Sequence, residues 1–250
     1  MSRIDGCEQI VQESSFRISS ATQLFLFSRM HSISTLIFDL GGVIINLKSE
    51  QDWLEQNLLP NFHPESLQQL QQQHFFHDFE TGKITPSDFI RQLKSIALEK
   101  NVSDETIIRH WNGILKDIPA HRIDLLRRLK DRHRLILLSN TNAIHVDAIR
   151  RYMKSAFGED VLESSFHTCY YSQQIGLRKP GREIYEFVLQ EQKLPAERCV
   201  FLDDKPENLT EPGKLGIRTI LVDKDISELI AGDFFSEPVK SMDSRLWTID

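Results

Sequence analysis

Short apolar runs recur along this chain, and several end abruptly in polar residues. TLIF (35–38) ends in Asp39, LILL (135–138) in Ser139, Asn140 and Thr141, and VFL (200–202) in Asp203 and Asp204. From Pro119 onward such runs alternate with helical patterns. HRIDLLRRLKDRH, AIHVDAIRRYMKSAF and GREIYEFVLQEQKL carry apolar residues at helical spacing; RLILLSN, FHTCYYS, RCVFLDD and GIRTILV read as strands. Strands that alternate with helices require right-handed crossovers and a parallel sheet buried on both faces. The expected fold class is therefore α/β with a Rossmann-like parallel sheet.

The alternation is interrupted after the first strand. SEQDWLEQNLL, PESLQQLQQQHFFHDFETG, TPSDFIRQLKSIALEK and SDETIIRHWNGIL all show helical periodicity, and Pro64, Thr85-Pro86 and Ser103-Asp104-Glu105 supply start signals. Gly82 is placed to close the second helix. The organisation expected is a discontinuous core, residues 32–47 and 119–230, with a helical insert over 48–118 and a C-terminal tail over 231–250. Residues 1–31 lack this patterning. They read as an N-terminal arm or as an extension upstream of a start at Met30, and not as a signal peptide, because Asp5 and Glu8 occupy the segment that should be basic.

Bulk properties exclude some functions. A net charge of −6 with no basic stripe argues against nucleic acid. No apolar run approaches the ~18 residues that span a membrane. Three cysteines, Cys7, Cys169 and Cys199, without close spacing make a disulfide framework or zinc site improbable and point to a cytoplasmic setting.

In an open parallel sheet, ligands lie at the carboxyl ends of the strands. Asp39, the Ser139-Asn140-Thr141 cluster, Arg178-Lys179 and Asp203-Asp204 should therefore converge on one crevice. Three carboxylates crowded together need positive charge among them. Lys179 supplies one charge, and a hard dication with oxygen ligands, Mg²⁺, supplies two. An anionic substrate would meet Lys179, Ser139 and backbone amides, and Asp39 is placed to attack an electrophile and form a covalent intermediate.

In order and spacing these segments resemble the haloacid dehalogenase-like superfamily of aspartyl-nucleophile phosphatases. IFDLGGVI, LLSNTN, GLRKP and FLDDKPEN match its four motifs from about Thr35 to Val222, and the insert resembles its helical cap. DLGGVI, FETGKIT and QIGLRKPGREIY look closest to the bacterial branch that hydrolyses small sugar phosphates, including glucose-1-phosphate phosphatases. The resemblance implies Asp39 as nucleophile and Mg²⁺ held by Asp39, the Gly41 carbonyl and Asp204, with Asp203 acting through water or orienting the shell. It implies Ser139 and the amide of Asn140 on the phosphoryl oxygens, Lys179 neutralising nucleophile and phosphate, and Asn208 supporting the metal shell. Arg178 faces substrate or a neighbouring acid. The expected partner is a small phosphorylated metabolite, a sugar phosphate first of all, and the expected state is a monomer or weak dimer.

One departure matters. Most phosphatases of this superfamily carry a second aspartate two residues after the nucleophile, as general acid; here that residue is Gly41. A cap residue such as His77 or Glu80, or a metal-activated water, would replace it. The alternatives are a dehalogenase-type attack of Asp39 on carbon without metal, or a weakly catalytic phospho-ligand binding module. Elsewhere the bland readings are preferred: Thr141 or Asn142 as a helix cap, His74 and His77 as a surface pair, Phe75, Phe76, Phe79 and Trp111 as core of the insert, and Pro212-Gly213 as a helix-shortening pair.

Overall fold

The computed structural model of the protein describes residues 33–58, 60–158 and 160–231. The N-terminal arm expected over 1–31, and nearly all of the tail expected over 231–250, lie outside them. Among the described residues five strands form one sheet: β1 (Thr35–Phe38), β2 (Arg134–Ser139), β3 (Thr168–Tyr171), β4 (Cys199–Asp203) and β5 (Arg218–Leu221). Their order is β3-β2-β1-β4-β5, and every neighbouring pair is parallel. β1 begins and ends at the residues its apolar run predicts.

Alternate residues of each strand feed two apolar clusters, as a sheet covered on both faces demands. Leu36, Phe38, Leu135, Leu137, Val200 and Leu202 pack on one side. Ile37, Ile136, Leu138, Cys199 and Phe201 pack on the other, against Ile184 and Val188. Burial of each such side chain contributes about 1.5–3 kcal/mol, so the strand register is firmly held.

The segment between β1 and β2 is helical. It contains α1 (Glu50–Trp53), a π-helical turn (Leu54–Leu58), α2 (Pro64–Gln72), α3 (Phe75–Glu80), α4 (Pro86–Ser95) and α5 (Asp104–Trp111). Thr85 and Ser103 cap α4 and α5 by accepting from the amides of Asp88 and Thr106. The single helix expected over residues 64–82 is instead two, because His74 adopts a left-handed conformation, φ 57°. This break turns α3 so that Phe79 packs on Phe89 in a third apolar cluster, with Leu67, Leu70 and Leu93. The two chain passages into and out of the segment run side by side, with Asn46 N donating to Asp117 O and Lys48 N to Ile114 O, both at 2.9 Å.

After β2, Asn142 caps α6 (Ala143–Phe157) by accepting from the His145 amide; the helix of residues 120–130 precedes β2. Pro212 and Gly213 lie inside a helix of only five residues, 210–214. Pro212 falls in its first turn, where a missing N–H costs nothing.

Candidate active site

Strand register brings the acids together. Phe38 pairs with Leu202, so the next residue of each strand, Asp39 and Asp203, stand side by side, and the Asp39 amide donates to Leu202 O at 2.9 Å. Beyond Asp39 the chain turns sharply: the Ile44 and Ile45 amides both donate to Leu40 O, and Gly42 takes φ 74°. That turn aims the Asp39 side chain along the carboxyl edge of the sheet.

Lys179 is the charge at the centre. Its ammonium lies 2.8 Å from Asp39 Oδ1 and 2.6 Å from Asp203 Oδ2, and 5.3 Å from the centre of the Phe201 ring. Lys179 is 1 % exposed and Asp203 wholly buried, so neither ion can be left unpaired. Burial by itself would lower the lysine, but the two carboxylates outweigh it and hold the ammonium above its ordinary range. For Asp39, burial pushes the carboxyl up to about 6; Lys179 opposes this and Asp203 adds to it.

The surrounding residues position these groups. Asn140 clamps the lysine backbone from both sides, donating to Lys179 O and accepting from Lys179 N, each at 2.8 Å. Asn208 donates to both oxygens of Asp203, at 2.9 and 3.1 Å, and the Lys205 amide donates to Asp203 Oδ1 at 2.9 Å. Tyr185 Oη in turn donates to Asn208 O at 2.7 Å. Ser139 is buried at the end of β2. Thr141 N donates to Ser172 Oγ at 2.9 Å, which tethers this loop to the residue that follows β3.

Asp204 differs from Asp203. Oxygens of Asp39, Asp203 and Asp204 all lie within 4.8 Å of one another. Asp203 is saturated by the lysine, the asparagine and a backbone amide, whereas Asp204 Oδ1 is buried without a hydrogen-bond partner. Burial, then the neighbouring Asp203, pushes the Asp204 carboxyl up. A buried carboxylate oxygen with no donor beside two other acids fits a hard cation. Gly42 is needed for this arrangement, since a Cβ there would strike the Asp204 carboxylate. At Gly41 a Cβ would come 2.7 Å from Leu47 Cδ1, so Leu47 would have to move to admit an aspartate.

The sequence candidates Asp39, Lys179, Asp203 and Asp204 are thus gathered at one point, with Asn140 and Asn208 behind them. Arg178 is placed differently. It reaches away to the helical segment, pairing with Glu80 Oε2 at 3.0 Å. Tyr185, Phe201, Ser172 and Leu47 escaped the sequence reading. Only Ser172, the first residue beyond β3, sits at a position the strand-end argument could have flagged.

Between α1, α2, α5 and these loops lies a cavity of about 380 Å³. Phe76 and Trp111 pack in the apolar cluster of the helical segment, as expected, and also form part of the cavity wall together with Trp53, Leu54 and Leu67. Asn142, His145, Glu80 and Arg178 also border it.

Residues 33–210 match the family model described as haloacid dehalogenase-like hydrolase. A D-ribitol-5-phosphate phosphatase of Bacteroides thetaiotaomicron is 26% identical over 190 residues, covering 75% of this chain and 90% of that protein. A sesquiterpene phosphatase of Aspergillus oryzae is 28% identical over 182 residues, 72% of this chain and 85% of that one. Among solved structures, a haloacid dehalogenase family enzyme of Bacteroides thetaiotaomicron in complex with magnesium and inorganic phosphate superposes with a TM-score of 0.68 and 32% identity, over 79% of this chain and 99% of that one.

Proposed function

Because the chain belongs to the haloacid dehalogenase-like hydrolase family, we propose that it is a magnesium-dependent phosphatase that hydrolyses a small phosphorylated metabolite through an aspartyl-phosphate on Asp39. The observation that carries this reading is the Lys179 ammonium held between Asp39 and Asp203 beside an Asp204 oxygen that lacks a partner. A carbon-attacking hydrolase needs no metal, and so would leave the buried Asp204 oxygen without a role. The relatives named as phosphatases, and the neighbour solved with magnesium and phosphate, support the same choice.

Asp39, the Gly41 carbonyl and Asp204 would hold the ion, with Asp203 behind them. Once bound, Mg²⁺ supplies positive charge against the phosphoryl oxygens. An Asp39 oxygen attacks phosphorus, the ester P–O bond breaks, and the leaving oxygen takes a proton. Lys179 offsets the negative charge of nucleophile and phosphate throughout. Ser139 and the Asn140 amide orient the phosphoryl oxygens. Water then attacks phosphorus and gives its proton back to the group that protonated the leaving oxygen, the acyl phosphate bond breaks, and the Asp39 carboxylate is regenerated with release of phosphate. With glycine at 41, the proton for the leaving oxygen would come from His77, which borders the cavity, or from water, since Glu80 is committed to Arg178. Burial, and after it the Arg178 charge, lowers the His77 imidazole. The helical segment would act as a cap that closes over substrate and excludes water.

Purified enzyme should hydrolyse para-nitrophenyl phosphate in the presence of Mg²⁺. EDTA should cut the rate by about 10²-fold or more, in keeping with the several kcal/mol a bound dication supplies, and added Mg²⁺ should restore it. Turnover indifferent to EDTA, or metal-independent halide release from a 2-haloacid, would overturn the reading.

A further inference from the structure

The cavity between the helical segment and the loops after β2 and β3 has a wall rich in aromatic and aliphatic side chains, and the polar atoms of Trp53, Trp111, Asn142 and His145 within it are already engaged. Trp53 Nε1 donates to His110 O at 3.2 Å, and Trp111 Nε1 to Asn142 Oδ1 at 3.4 Å, so neither indole offers a free donor. Asn142 Nδ2 meets His145 Nδ1 at 3.1 Å, and His145 Nε2 meets Trp111 O at 3.3 Å. Burial drops His145 to about 4, which leaves it neutral and makes its ring a flat face stacked on Trp111 at 5.5 Å. Phe76 stacks on Trp111 at the same separation. Arg178 and Glu80 pair through Glu80 Oε2, which leaves Glu80 Oε1 and part of the guanidinium as the polar groups within the wall. The uncommitted polar residues, Glu50, Gln68, Gln71 and His77, are exposed and stand at the mouth.

The cavity adjoins the phosphoryl chemistry through two loops. Arg178 borders it, and the next residue, Lys179, touches Asp39. Asn142 borders it from the loop after β2, which leaves the strand at Ser139 and begins with Asn140. A volume of 380 Å³ falls in the range of about 300–1,000 Å³ that holds drug-sized ligands.

Resting on the phosphatase reading, we infer that the preferred substrate is a phosphate monoester of an apolar alcohol, its hydrocarbon body seated between Phe76, Trp111 and Leu54 and its phosphate at Asp39. A polyol in the same place would find most of its hydroxyls facing carbons, with only Glu80 Oε1 and the spare Arg178 donors to meet them. Each hydroxyl facing carbon would give up water without a replacement bond. An apolar wall rejects an added hydroxyl only moderately, by about 10²-fold, so selectivity of that order is expected rather than absolute exclusion.

The test is a panel measured as kcat/KM with Mg²⁺: n-octyl phosphate and 1-naphthyl phosphate against ribitol 5-phosphate and glucose 1-phosphate, with acetyl phosphate as a donor that has almost no body. The apolar esters should exceed the polyol esters by about tenfold to 10²-fold. The variant Leu54→Gln, which puts an amide into the wall, should narrow the ratio of octyl to ribitol ester by about tenfold. A polyol ester turned over as well as or better than the octyl ester would overturn this inference and leave the phosphatase reading standing. So would a variant that folds and keeps the wild-type ratio. Should the variant fail to fold, the wild-type panel alone decides. If no ester is turned over, acetyl phosphate included, the phosphatase reading fails and this inference falls with it.

Discussion

Asp39→Asn should lose at least about 10³-fold in kcat/KM for para-nitrophenyl phosphate while the protein stays folded. The amide is nearly the size and shape of the carboxylate, but its oxygen is a poor nucleophile, and removal of a catalytic nucleophile costs rates of this order or more. Stability should survive for a reason visible in the site. Lys179 keeps its 2.6 Å pair with Asp203, and one of two buried carboxylates flanking it is neutralised. Burial and Asp203 both disfavour the charge on Asp39, so the native fold tolerates its loss. Circular dichroism and a thermal midpoint within a few degrees of wild type would check the folding half of the claim; activity near wild type would refute the catalytic half.

Lys179→Met is the substitution with the largest effect on stability. The methionine fills a similar volume above Phe201, so packing changes little. What changes is charge: Asp39 and Asp203, buried side by side, lose the cation that each touches within 2.8 Å. Breaking a buried pair by removing one partner typically costs about 3–5 kcal/mol. For a domain of this size that lowers the thermal midpoint by roughly 10 °C. A second substitution, Asp203→Asn, should recover part of the loss, so that the double variant is less destabilised than the sum of the singles. Simple additivity would mean that the lysine is held by packing and not by its acids. Activity should fall about 10²–10³-fold in either background, the usual cost of removing one charge-stabilising donor.

What the chain discloses by its order alone is the sheet and its polar edge. β1 is legible to the residue because a strand buried on both faces must be apolar throughout, and Asp39 marks where it leaves the sheet. The meeting of Asp39, Lys179, Asp203 and Asp204 follows from parallel topology, which sends every strand end to the same side. The division of labour between the two adjacent acids is less legible. Only the hydrogen bonds from Asn208 and Lys205 reveal that Asp203 is saturated and Asp204 is not.

The helical segment is where periodicity says least. His74 sits in an unbroken helical pattern, yet a left-handed turn there splits the helix, since packing of Phe79 on Phe89 outweighs local preference. Phe76 and Trp111 look like ordinary core residues in a one-dimensional pattern. Which of their faces meets another side chain and which meets a cavity depends on how the segment lies across the loops after β2 and β3. No residue spacing encodes that. Arg178 illustrates the same limit, for its partner Glu80 is far away in sequence and belongs to the helical segment.

The central claim is a covalent bond between phosphorus and one carboxylate. Acid quenching of the enzyme during turnover with Mg²⁺, followed by peptide mapping in a mass spectrometer, tests it most directly. The phosphoryl group should be found on Asp39 and should be missing from the Asp39→Asn protein. A phosphoryl group trapped on any other residue of the active enzyme would contradict the account.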